Sequence, residues 1–516
     1  MAANPSIQLG TDGNWAIKED NLLAYKKDGT RFFNKEFDFS RGSSATFIDK
    51  DGLIKVSGVT NTELVTNGGF DTDTNWTKGN GAYISEGKGN VIGDGSSFTN
   101  LSQSNVFTVG KFYKVTLDAV INSGLGLKVQ DGSTNENFGF ITTSGTYTFY
   151  SEANDSSLVI GRRTGGTAFD SYIDNVSIVE IQLDVPRIDF KNNTTGHLLL
   201  EPQSTNLITY SEDFSSSSWH LNGGTLTTNS GISPDGNNNA YKYNTDGSYK
   251  IFRQLITLST STDYTFSFYA KNVDATDAFY RVHNNSNATD VISATSYISQ
   301  INNSEWNRVE VNFTTDSTGT QYAVYLMSGN SGGDILFWGA QTEELPYATS
   351  YIPTSGSTVT RNAEVCNNSG SLQDFNSEEG VLYAEISALA DDGTFRYITL
   401  NDGTDQNVVA IRFSETSNQI LAFTRISGSF NAVLSTTSYS TVNFNKIAYR
   451  YKSGDFGLFI NGTKISSSTS TQTLPANTLN TLSFDNAPFA KMYGKAKGVY
   501  VFNEALTDDE LQQLTT

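Results

Sequence analysis

Along most of the chain, apolar and polar residues alternate with a period of two, in short runs. Val115, Leu117 and Ala119 share one face of the stretch YKVTLDAVI, and Tyr264, Phe266 and Phe268 share one face of DYTFSFYAK, with mostly polar residues between them. That pattern marks half-buried antiparallel strands. Gly, Asn, Asp and Ser cluster between the runs, where turns are needed. In GLFINGTKI (457–465), Asn461-Gly462 supplies the positive φ values of a tight hairpin. One short helix is predicted at the C-terminus, where Thr507 and Glu510 form a capping box. The expected fold class is all-β, built of tandem antiparallel β-sandwiches.

The landmarks occur twice in the same order. LVTNGGFDTDTNW begins at Leu64 and LITYSEDFSSSSW at Leu207, each running through a polar turn to a Phe and then a Trp. Gln103 is followed ten residues later by Tyr113, and Gln254 ten residues later by Tyr264. Each copy closes on an apolar strand near an acidic tail, SYIDNVSIVEI (171–181) and DILFWGAQTEEL (334–345). A duplicated fold over about 62–182 and 206–350 is expected. With TNGGFDTDTNW and SYIDNVSIVEI, the first copy resembles jelly-roll carbohydrate-binding modules; the second has drifted at both signatures.

The segments FSRGSSATFIDKDGLI (39–54) and PRIDFKNNTTGHLLLEPQSTNLITYSEDF (186–214), with the FWGAQ strand and the exit YATSYIPTSGSTVTR, resemble a module of tailed-bacteriophage virion proteins. Its two halves usually follow one another directly; here roughly 57–183 separates them, which reads as a whole jelly roll inserted into a surface loop. The last third, with GLFINGTKI and GVYVFNEALTDDELQQL, resembles a laminin-G or concanavalin-type lectin sandwich. Four units are therefore expected: an N-terminal anchoring segment, 1–60; an inserted jelly roll, 61–183; a second jelly roll of phage type, 184–361, completed by 39–56; and a laminin-G/concanavalin-like sandwich, 362–516. The first unit shows no complete core and is expected to dock on a partner or on neighbouring subunits.

Composition narrows the function. The net charge of −20 and the absence of any long Lys or Arg run argue against nucleic-acid binding. The single cysteine, Cys366, rules out an internal disulfide framework. No segment approaches the ~18 apolar residues of a membrane span. The start, MAANPSIQLGTDGNWAIKEDN, has no basic region followed by an apolar run, so release by host lysis is expected rather than secretion.

Catalytic chemistry is not legible. His197, His220 and His283 lie in separate contexts, and no nucleophile, metal-hydrolase or phosphate-binding motif occurs. In the jelly rolls that the first copy resembles, a carboxylate after the NGGF turn and the Asp of the last strand help hold a structural calcium ion. That resemblance implies Asp71 and Asp174, which otherwise read as solvated loop acids; two carboxylates with carbonyls and water can suffice. In the second copy Asp213 lies near the first position, but Trp338 stands where Asp174 would. Trp76, Trp219, Trp306 and Trp338 read as core, and Tyr83, Tyr172 and Tyr280 have no face assignable from sequence. No sugar-binding residue is therefore assigned, and no catalytic one.

The resemblances imply a non-enzymatic bacteriophage virion protein, a tail fibre or capsid-attached fibre displaying lectin-like domains for host-surface glycans. The alternative is a purely structural capsid decoration or tail component without glycan binding. Expected partners are other virion proteins through the N-terminal segment, identical subunits in a homotrimer, and host polysaccharide. The expected location is the virion surface.

Overall fold

The computed structural model of the protein describes residues 5–10, 15–18, 21–25, 32–33, 37–133, 138–163, 165–191, 195–487 and 489–516. The chain is all-β, in antiparallel sheets around three large cores. The only α-helix among the described residues, Asp508–Thr515, starts at the Thr507–Glu510 capping box, and the hairpin turn has φ of 49° at Asn461 and 79° at Gly462. No helix among them is long and apolar enough to cross a membrane.

The first copy is a sandwich of two five-stranded sheets. One orders Gly145–Glu152, Phe112–Ser123, Phe169–Ile181, Lys88–Gly93 and Ala82–Ser85; the other runs from Gly139–Ile141 to Thr77–Gly79. Val115, Leu117 and Ala119 point into the core, each 2% exposed or less, as their alternation predicts. The second copy wraps one eight-stranded sheet around its own core, using the long strands Tyr241–Thr257 and Gln321–Glu343.

The repeated landmarks do the same work in both copies. The Nε1 of Trp76 donates to the carbonyl of Asn67, and that of Trp219 to the carbonyl of Tyr210, both at 2.9 Å. The Gln103 Oε1 accepts from the Thr66 amide at 3.0 Å, and the Gln254 Oε1 from the Thr209 amide at 3.3 Å. Tyr113 and Tyr264 each accept, through the hydroxyl, the amide five residues earlier, from Thr108 and Ser259. The Val176 amide donates to Gly68 O and the Ala340 amide to Ser211 O, which sets Trp338 at the Asp174 position. A Cβ on Gly68 would lie 1.9 Å from Val176 O, so the NGGF turn needs glycine for this close approach.

One expectation changes. The strand Asp263–Asn272 does not have a polar outer face: Thr265, Ser267 and Tyr269 are buried alongside Tyr264, Phe266 and Phe268. Scaffold segments cover that side. Thr265 Oγ1 donates to Leu345 O at 2.7 Å, Arg308 Nη2 donates to Ser267 Oγ at 2.9 Å, and Tyr269 packs on Trp338 and Tyr351. The hydroxyls that look solvent-facing in sequence are satisfied inside.

The C-terminal sandwich pairs a five-stranded sheet, from Ser429–Thr436 to Thr481–Ser483, with an eleven-stranded one. The larger sheet recruits distant chain: Ile7–Leu9 and His197–Leu200 both pair with Gly494–Phe502. Ile7, Leu9, Phe37, Phe39, Leu198 and Leu200 belong to its core. The described part of the N-terminal segment thus docks on the chain's own last sheet.

Where the chain crosses into and out of the first copy, its two strands lie side by side. Val59 bridges Ile181, and the Gln182 amide donates to Gly58 O at 2.8 Å. Gly58, at φ 75°, would place a Cβ 2.0 Å from Gln182 O, so this junction also requires glycine.

Beside the junction lies a buried ion cluster. Glu364 accepts from Arg41 Nη1 at 2.9 Å and, in a fork, from Arg187 Nε and Nη2 at 2.9 and 2.5 Å. Glu201 pairs with Arg187 and Arg361, both at 2.9 Å, and accepts from the Ser350 amide and hydroxyl. All five side chains are at most 3% exposed. Burial alone would raise the Glu201 carboxyl, but Arg361 and Arg187 outweigh it and hold it at about 2. Burial depresses the Arg41 guanidinium to about 10 against the pull of Glu364. Replacing Glu364 by Gln leaves the buried Arg41 without a carboxylate and Arg187 with Glu201 alone, and should cost about 3–5 kcal/mol in urea unfolding. Asp73→Asn, which breaks the exposed Lys78–Asp73 pair, should stay within ~0.5 kcal/mol. A Glu364→Gln loss as small as the Asp73→Asn loss would refute the cluster's structural weight.

Candidate functional site

The sheet of the first copy that carries Phe112–Ser123 divides its outer face between two tasks. On one side, Lys114 and Tyr150 face Glu212, Asp235 and Lys55 of the scaffold. The Asn229 Nδ2 donates to Ser144 O at 3.5 Å, closing the same seam. On the other side, Ala82 and Ile84 pack inward, which turns Tyr83 outward at 45% exposure. Asn90 pairs directly with Tyr83 on one neighbouring strand and with Tyr172 on the other. Directly opposed residues share a face, so Tyr83, Asn90 and Tyr172 form a row across three strands. The Lys88 ammonium lies 4.2 Å from the centre of the Tyr172 ring. Two amphipathic rings flanking an amide and an ammonium can hold a planar, hydroxyl-rich ligand by stacking and hydrogen bonding.

The C-terminal sandwich presents a second aromatic face, on the side of its five-stranded sheet away from the core. The Arg412 guanidinium lies 4.8, 5.4 and 5.6 Å from the ring centres of Phe395, Tyr397 and Phe423. Arg425 sits 5.2 Å from Phe430, which is 56% exposed and packs edge-on to Phe423 at 4.9 Å. The flat, delocalised guanidinium stacks on such rings and leaves donors for a ligand. This face has no counterpart among the residues singled out from sequence. Its signal is the alternation of Tyr397, Arg412 and Phe423 on three adjacent strands, which register alone brings together.

The remaining sequence candidates scatter. Trp76, Trp219 and Trp338 are core, at 5% exposure or less; Trp306 is half-buried, its Nε1 donating to Ile232 O at 2.9 Å. Tyr280 stacks on the buried Tyr297 at 6.1 Å and is tied to the second core. His197 is buried, and its imidazole is pushed down to about 3 by burial and by Lys495 and Lys497. The His283 Nδ1 lies 2.6 Å from Asp290 Oδ1, and His220 is exposed.

Asp71 is exposed, and the Asp174 Oδ1 accepts from the Asn175 amide at 2.7 Å. The Val176–Gly68 hydrogen bond brings the two signatures together, but among the described residues no three His, Cys, Asp or Glu side chains converge on one point. A calcium ion here would depend on backbone oxygens and water for most of its shell. In the second copy the nearby Asp213 accepts from Tyr241 Oη at 2.9 Å and from Ser215.

Residues 373–512 match the family model described as Concanavalin A-like lectin/glucanases superfamily (Laminin_G_3), which covers the C-terminal sandwich. No curated protein matches the chain. Among solved structures, the Ruminococcus gnavus IT-sialidase CBM40 is 15% identical, covering 29% of this chain and 94% of that one, with a TM-score of 0.25. The CBM22-1-CBM22-2 tandem domain of Paenibacillus barcinonensis Xyn10C is 14% identical, covering 56% and 98%, with a TM-score of 0.23. A pentraxin from Limulus polyphemus is 11% identical over 29% and 74%, with a TM-score of 0.24. At such scores the likeness says nothing about ligand or partner. The protein is an assembly of antiparallel β-sandwiches whose last domain matches the concanavalin A-like family model.

The seam between the copies carries a pH-dependent group. Burial and the Asp235 carboxylate push Glu212 up to about 8, against the hydrogen bond that Tyr351 donates at 3.0 Å. A carboxyl raised in the folded state binds its proton more tightly than in the unfolded chain. Its contribution is complete below ~4.3 and is lost as pH rises through about 8. The melting temperature should therefore fall between pH 5 and pH 9, and Glu212→Gln should flatten that slope; an unchanged slope would remove Glu212 as its source.

Proposed function

We propose that this is a non-enzymatic virion surface protein of a tailed bacteriophage, a tail or capsid-attached fibre or spike that holds host-surface glycans. The observation that carries the binding half is the outward row Tyr83–Asn90–Tyr172 on a sheet whose other half is already covered by the scaffold. The phage half is supported by the split module at 39–54 and 186–214, whose Arg41 and Arg187 meet on one carboxylate, Glu364. The fibre is a homotrimer made in the host cytoplasm and released by lysis. Its N-terminal segment, 1–60, contacts other virion proteins, and three copies of each weak site give avidity that one site lacks.

The test is a glycan array probed with the full chain. Host polysaccharides should bind, and Tyr83→Ala and Tyr172→Ala should each weaken binding by about tenfold, ~1.4 kcal/mol. Melting temperature should not move, because neither ring belongs to the core. Silence of the wild-type chain across host polysaccharides would sink the glycan reading and leave a structural decoration or tail component. Immunogold labelling of intact particles tests the location, and labelling absent from virions would refute it.

Calcium at Asp71 and Asp174 is part of the same reading. An ion that binds only the folded state stabilises it in proportion to the logarithm of its concentration. Millimolar calcium should raise the melting temperature and EGTA should reverse the rise; indifference to both would take calcium out of the account.

A further inference from the structure

Where the scaffold meets the C-terminal sandwich, a cavity of about 160 Å³ opens between chain segments far apart in sequence. It is distant in kind from both aromatic faces described above, since it is concave and lined by charge. Three cations reach it, Lys191, Arg308 and Lys495, in a chain whose net charge is −20. Glu201 also lines it, but that carboxylate is committed to Arg187 and Arg361. Asp189 is held by the Ile48 and Lys191 amides at 2.9 and 2.7 Å. Glu310 approaches Lys191 only to 3.7 Å. Three carboxylates and three cations thus line the cavity, Glu201 being shared with Arg187 and Arg361 and acting with Glu310 and Glu343 on Arg308; no carboxylate among the described residues pairs with Lys495.

The cations act on one another at Lys191, while at Arg308 the nearby Glu310, Glu343 and Glu201 favour the charged form. Burial lowers the Lys191 ammonium, and Arg308 and Lys495 lower it further, while Glu310 and Asp189 counter only part of this. Arg308 donates from Nη1 to Thr349 O at 2.5 Å and from Nη2 to Ser267 Oγ at 2.9 Å. Its Nε is buried and has no acceptor. An unmet donor of this kind is costly unless a ligand supplies an acceptor. Tyr269 and Tyr347 add aromatic surface, and the mouth reaches solvent where Lys191 and Glu310 are 38% and 39% exposed.

We propose that this cavity binds a monosaccharide bearing a carboxylate, of the uronic acid class. Its carboxylate meets Arg308, Lys191 and Lys495, its ring lies on the tyrosines, and its hydroxyls reach Glu310. A neutral sugar would leave Lys495 without a carboxylate partner, and a bare inorganic anion would leave the tyrosines unused. Sites of this form are concave, with a few convergent polar groups on an apolar wall.

The test is calorimetric titration of the full chain with glucuronate, galacturonate, glucose and inorganic phosphate. The uronates should bind and raise the melting temperature, and glucose should not. Lys495→Gln should weaken uronate binding about tenfold with the unliganded melting temperature unchanged, because its ammonium holds no structural partner. Tyr83→Ala should leave uronate affinity intact, which separates this site from the glycan face. Failure of both uronates at millimolar concentration would overturn the proposal. So would equal affinity for phosphate, which would mean an anion site only, or full binding by Lys495→Gln, which would place the ligand elsewhere.

Discussion

The scaffold depends on one carboxylate, Glu364, shared by two arginines that lie far apart in the chain. Arg41 arrives before the inserted copy and Arg187 after it, and both end on Glu364 within hydrogen-bond distance. Arg41 also donates to Leu183 O and Val185 O, so it grips the segment on which the chain leaves the first copy. Desolvating such charges is expensive, and a packed apolar cluster of the same volume would often be as stable. What the cluster supplies is register: each charge has one set of partners that satisfies it, and any misjoined arrangement leaves a buried ion alone. Glu201 and Arg361 extend the same condition to the segments that follow.

This constraint explains how a complete sandwich can sit inside another domain. Its ends leave and return side by side at Val59 and Ile181, so the scaffold sees a loop whose ends are already closed. Loop-closure entropy grows only with the logarithm of length, and a folded insert contributes less than a flexible one. The insert then gives half of one sheet face to the seam with Glu212 and Asp235 and keeps the other half for Tyr83 and Tyr172. The C-terminal sandwich is less separable. Ile7, Phe39 and Leu198 are in its core, so residues 362–516 do not form a closed unit.

Much of the architecture was legible because it is written in local patterns. Alternation marked Phe112–Ser123, Asn-Gly marked the hairpin, and Thr507 with Glu510 marked the helix. The duplication was legible because Trp, Gln and Tyr at fixed spacing each make one backbone hydrogen bond that the fold needs twice. The outward aromatic faces were not legible. Whether Tyr83 and Tyr172 point out depends on which strands pair, and Arg412 meets Phe395, Tyr397 and Phe423 only through register. Asp263–Asn272 misled for a related reason: its Thr and Ser look exposed until scaffold segments close over them.

The sequence by itself determined the all-β class and the paired landmarks, because strand period, turn chemistry and capping are short-range effects. Only the tertiary structure decided where distant segments meet. It placed Ile7–Leu9 in the last sheet, gathered Arg41, Arg187, Glu201, Arg361 and Glu364 into one cluster, and brought Lys191, Arg308 and Lys495 around one cavity. The physical reason is that a buried charge is tolerated only where its partners converge in space, and no spacing along the chain records that convergence.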